Sequence, residues 1–169
     1  MKKLIFLVSI SLCIVNCGRK SLPKPPETIA PAAVDLFQIV GKVDGLELHW
    51  RAPTKDASGG DLIDLESFVI QRSNYVKGNS ADFDDVAIVP ADSGTVIVST
   101  DTQEKKKSAT EFVYLDKDRL VPGKQYEYVV VGKNTDHVDG VAPYILRATF
   151  LGEASVVERV GIKKRNKED

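Results

Sequence analysis

Between Ala33 and Phe150 the apolar residues recur every second position in short bursts, and no stretch sustains a 3.6-residue repeat. This constrains the chain most, because a two-fold pattern makes pleated strands with one buried face and cannot make a helix layer. Eight such segments stand out: Val34–Val40, Leu46–Trp50, Phe68–Arg72, Val86–Val89, Thr95–Ser99, Glu111–Leu115, Tyr126–Val131 and Tyr144–Phe150. They are rich in Val, Ile, Tyr and Phe and are divided by Gly, Pro, Asp and Asn. Without helices to cover them, the strands are expected to form two sheets packed face to face, an all-β sandwich.

Alternation also assigns the faces. Leu46, Leu48 and Trp50 point inward with Glu47 and His49 outward; Phe68 and Ile70 match them on the next strand, and Phe112 and Tyr114 before the following corner. After the turn pair Pro122-Gly123, the residues Tyr126, Tyr128 and Val130 share the inner face. Val69, Val129 and Val131 are left for the outer face. These three are the candidate protein interface, with plain exposure, or cover by residues 153–160, as the alternatives.

Three stretches resemble a fibronectin type III domain, an immunoglobulin-like sandwich. Leu46-Glu47-Leu48-His49-Trp50 with Pro53 is similar to the second strand and its buried tryptophan. Ser58-Gly59-Gly60-Asp61-Leu62-Ile63 leading to Phe68-Val69-Ile70-Gln71-Arg72 is similar to the glycine loop and third strand. Leu120-Val121-Pro122-Gly123-Lys124-Gln125-Tyr126 is similar to the leucine, turn and tyrosine that open the sixth. The resemblance implies a structural core of Trp50, Leu120 and Tyr126, the Tyr126 hydroxyl bonding an upstream backbone group. The domain, residues 32–152, is long for the family. The excess lies between Asn74 and Ala109, where Val86–Val89 and Thr95–Val98 read as an enlarged hairpin before the tyrosine corner.

The N-terminus carries a different signal. Lys2 and Lys3 precede an apolar run, Leu4 to Val15, broken only by Ser9, Ser11 and Cys13. That run is shorter than the roughly 20 apolar residues needed to span a bilayer, and fits a signal peptide. Its end, Leu12-Cys13-Ile14-Val15-Asn16-Cys17-Gly18, resembles the lipobox of bacterial lipoproteins, with Asn16 a departure from the small residue usual before the cysteine. The resemblance implies removal of residues 1–16, acylation of Cys17 by chains such as palmitate, and attachment to the lipid bilayer of the cell envelope, most naturally the outer membrane. A plain secreted protein cut near Asn16 is the alternative. Residues 17–31, with four prolines, suit an extended tether, and 153–169 read as a polar charged tail.

Composition and motifs narrow the function. The formal charge is −1, and loss of Lys2 and Lys3 with the leader makes it −3. Such a balance argues against a nucleic-acid binder. With Cys13 discarded and Cys17 acylated, no thiol is left for a disulfide, metal or nucleophile. His49 and His137 stand apart and make no relay, and the spacing of Asp136, His137 and Asp139 is not a zinc pattern. Asp82, Asp84 and Asp85, and likewise Asp116 and Asp118, read as solvated turn caps. No Gly-x-Ser-x-Gly elbow or phosphate-binding glycine loop occurs. No catalytic residue, metal or cofactor is expected. The function expected is a non-enzymatic binding or scaffolding lipoprotein with an envelope or extracellular protein partner; the alternative is an envelope hydrolase or hydrolase subunit with an unrecognised site.

Overall fold

The strand containing Trp50 organises the molecule, because its alternating apolar residues can be hidden only by a second sheet. The computed structural model describes residues 29–76, 78–100 and 106–161, so Cys17 and the leader lie outside the described residues. Ten strands are present among the described residues: β1 Asp35–Lys42, β2 Gly45–Arg51, β3 Leu65–Val76, β4 Asn79–Ser80, β5 Asp84–Pro90, β6 Thr95–Thr100, β7 Lys106–Asp116, β8 Gln125–Asn134, β9 Ile145–Thr149 and β10 Val156–Val160. The smaller sheet has the order β1-β2-β7-β6, and the larger runs β10-β9-β8-β3-β4 with β5 also paired to β3. This is the strand order of an immunoglobulin-like sandwich with an added edge strand, β10.

The inner faces are those the alternation predicts. Leu46, Leu48 and Trp50 of β2, Phe68 and Ile70 of β3, Phe112 of β7 and Tyr126, Tyr128 and Val130 of β8 form one core with Leu146, Ala148 and Phe150. At its centre Trp50 stacks on Phe112 with ring centroids 5.6 Å apart, and Phe68 meets both rings, at 5.5 Å and 4.6 Å. Trp50 and Phe112 belong to one sheet and Phe68 to the other, so this aromatic trio joins the layers. Trp50 Nε1 is buried with no hydrogen-bond partner among the described residues.

The tyrosine corner forms as the resemblance implies. Tyr126 Oη accepts from Val121 N at 2.8 Å and donates to Arg119 O at 3.3 Å, while Leu120 packs on the core edge. Gly123 has φ of 82°, the left-handed value that the Pro-Gly turn requires at this position.

Four expectations are corrected. First, the stretch between Asn74 and Ala109 is not one enlarged hairpin. β5 runs back along β3, a single 3₁₀ turn at Ala91–Ser93 carries the chain across, and β6 pairs with β7 in the opposite sheet. Second, the domain extends beyond residue 152, because Val156–Val160 add an edge strand to β9 and Val157 packs on the core. Third, the last residues assigned to the tether belong to the fold. Ala30 and Pro31 are buried, Ala57 N donates to Ala30 O at 2.8 Å, and Val141 N to Pro31 O at 3.2 Å. Fourth, Asp116 is no solvated cap. Its side chain is fully buried, where Oδ2 accepts from Arg72 Nη1 at 2.7 Å and Tyr128 Oη at 2.6 Å, and Oδ1 from Asp118 N at 3.0 Å. Alternation after Phe68 and Ile70 sends Arg72 inward, and Asp116 neutralises it.

Trp50→Ala should cost roughly 3–5 kcal/mol in urea unfolding. Trp50→Phe should cost less, since it keeps a stacking ring and removes the orphan donor; a surface-like loss near zero for both would refute this packing.

Breaking the buried pair by Asp116→Asn should cost roughly 3–5 kcal/mol. Burial, and then the Asp116 carboxylate, push the Tyr128 hydroxyl far above its ordinary range, so the fold favours neutral Tyr128. That contribution is complete below the unfolded value of about 10 and is lost progressively as pH rises above it. Tyr128→Phe should therefore flatten the alkaline fall in stability by about 1.4 kcal/mol per pH unit above pH of about 10; an unchanged slope would contradict it.

Candidate functional site

The outer face of the larger sheet is built by the residues that alternation turns away from the core. The β3–β8 register sets Val69 opposite Val131, Gln71 opposite Val129 and Ser73 opposite Glu127, and β5 adds Ile88 beside Val69. The three candidate interface valines are thus brought together on neighbouring strands. They are not open surface: Val69 is 4%, Val129 6% and Val131 9% exposed, and none belongs to the inter-sheet core. The free valine patch read from the sequence is corrected on this point. β3 is a central strand, so Val69 has Val131 on one flank and Ile88 on the other, whereas Ile88 on the edge strand stays 67% exposed.

Beside the valines runs a charged row that the sequence reading missed. Glu127 is buried, and its Oε1 accepts from Arg147 Nε at 3.0 Å and Nη2 at 2.7 Å. Arg147 Nη1 donates to Glu158 of β10 at 2.8 Å, and its guanidinium lies 3.5 Å above the Tyr75 ring. Burial works against the Arg147 charge, but the bonds to Glu127 and Glu158 outweigh it and raise its pKa. One arginine therefore ties β3, β8, β9 and β10 together. The available signal was an outward Glu127 beside the outward Val129 and Val131; its partner, twenty residues on, had no readable register.

The remaining candidates spend their polar groups internally. His49 Nε2 lies 2.8 Å from Glu47 Oε1, with Lys42 on the same carboxylate, and these partners hold Glu47 below its ordinary range. His137, left-handed at φ of 61°, stands 3.5 Å from Glu66, and Asp139 pairs with Lys133. Asp136, His137 and Asp139 do not gather: no group of three metal-ligating side chains occurs among the described residues. A cleft of about 260 Å³ opens at the bulge of β1, lined by Leu36, Gln38, His49, Arg51, Glu111 and Tyr144 among others. Arg51 and Glu111 pair with each other across it.

No family model and no curated protein matches this chain. Among solved structures it is similar to the twitchin kinase region from C. elegans, with a TM-score of 0.47 and 14% sequence identity over 72% of this chain and 17% of that one.

Arg147→Ala should cost about 2 kcal/mol. It should also speed amide hydrogen exchange in β10 well before β3 or β8; uniform acceleration across the sheet would show that Arg147 is not the clasp on the edge strand.

Proposed function

We propose that the protein is a membrane-anchored, non-enzymatic binding or scaffolding lipoprotein that presents its fibronectin type III-like domain on the cell envelope. The observation that carries this reading is the order of features along the chain. A basic start and short apolar run end at Cys17, a proline-rich segment follows, and the fold begins at its far end. Two or three acyl chains on Cys17 would hold firmly, at about 0.8 kcal/mol per buried methylene. At about 3.1 Å per residue, such a tether, if extended, would set the domain a few tens of Å from the bilayer.

The binding role is supported by how the described ionisable groups are used. Arg72, Asp116, Glu127, Arg147, Arg51 and Glu111 each face a partner of opposite charge, an arrangement suited to rigidity. A rigid sandwich whose chain-specific additions lie at its edges suits recognition of another envelope protein.

Mass spectrometry of the mature N-terminus tests the anchor. The expected species begins at Cys17 with a diacylglycerol thioether, and Cys17→Ala should move the protein to the soluble fraction. An unmodified Cys17, or a start elsewhere, would sink the proposal.

A further inference from the structure

A strand at the edge of a sheet carries unpaired N–H and C=O groups, and folded chains blunt such edges with bulges, charges, prolines, brevity or cover. Most edges of this sandwich are treated in that way. β1 is bulged between Asp35 and Gln38, with Leu36 left-handed at φ of 50°, and the Gly152 carbonyl lies close against Gly41. β5 carries Asp84 and Asp85, ends in Pro90 and shifts register opposite Ile70 and Gln71. β4 has only two residues, and β10 carries Glu158 and Arg159.

Among the described residues, β6 has none of these devices. Its sequence, Thr-Val-Ile-Val-Ser-Thr from Thr95 to Thr100, is free of charge, glycine and proline. Its ladder to β7 runs without a shift from Thr95 opposite Glu111 to Thr100 opposite Lys106. Val96 is 62% and Ile97 40% exposed, and being adjacent they project to opposite faces.

We propose that β6 pairs antiparallel with β6 of a second copy of this chain, about a two-fold axis through Ile97 and perpendicular to the sheet. Such an axis keeps every residue on its own face, so outer positions meet outer positions. Centred on Ile97, it sets Thr95 opposite Ser99, Val96 opposite Val98 and Ile97 opposite itself, and no charged residue meets another across the new ladder. The order Thr95-Val96-Ile97-Val98-Ser99 selects this register, because only this centre sets each residue opposite one of its own kind. Moving the centre to Val96 or Val98 loses this match, setting Thr95 opposite Ile97, or Ile97 opposite Ser99. The pairing does not depend on how the chain is anchored.

The test introduces Ile97→Cys or Thr95→Cys separately into the full chain, with the unaltered chain run beside them to account for Cys13 and Cys17. Opposed residues of an antiparallel pair have Cα atoms about 4.5–5.5 Å apart, within disulfide reach. The two Thr95 positions would be roughly 13 Å apart, four residues along the strand. Mild oxidation should link Ile97→Cys into a dimer and leave Thr95→Cys unlinked. Linkage at both positions alike, or at neither, overturns the proposal. Ile97→Lys, at an exposed site, should convert the sedimenting dimer to monomer while near-ultraviolet dichroism stays unchanged. A wild-type chain that sediments as a monomer, or a variant that stays dimeric, overturns it equally.

Discussion

The carboxylate of Asp116 is the constraint on which the relation between the two sheets depends. It stands at the end of β7, in the smaller sheet, and receives Arg72 and Tyr128 from the larger. An inward arginine on β3 is tolerable only where an opposite charge meets it, because an unpaired buried ion costs several kcal/mol. Apolar contacts would allow the sheets several nearly equivalent settings. A charge that must find its counterpart allows one. The backbone around Asp116 follows from this, since Asp118 N bonds the same carboxylate and Arg72 reaches Asp118 O, shaping the corner that leads to Tyr126.

Much of the fold was legible because strand alternation is a local property. Leu46, Leu48, Trp50, Phe68, Ile70, Tyr126, Tyr128 and Val130 all lie in the core on the face that parity assigns them. Leu120, Pro122-Gly123 and Tyr126 could be read as a unit because turn chemistry and hydroxyl reach span only a few residues. What parity cannot give is which strand lies beside which. Val86–Val89 and Thr95–Val98 are strands, as their composition indicates, but the five residues between them cross from one sheet to the other, where a hairpin would have kept them together. Val156–Val160 escaped notice because Glu158 and Arg159 made it look like tail; those charges are spent on Arg147 and on the Tyr144 ring, 3.6 Å away.

The candidate site was legible in placement and not in exposure. Sequence parity put Val69, Val129 and Val131 on one outer face, and the register brings them side by side. Exposure depends on what flanks a residue, which is a tertiary quantity. Likewise Asp116 has the sequence context of a turn and the surroundings of a core residue: its capping bond to Asp118 N was a reasonable inference, while Arg72, forty-four residues away, was beyond any local rule.

The stitching of residues 30–32 into the body gives the sandwich a mechanical character. Pro31 pairs with Asp56 in the loop joining β2 to β3 and accepts from Val141 in the loop joining β8 to β9, while Ala32 N bonds Lys55 O. A pull along the chain preceding Ile29 is thus divided at its point of entry between a connection linking the two sheets and a hairpin of the larger one. The load is shared in parallel, and β1 is spared being peeled from β2 one hydrogen bond at a time.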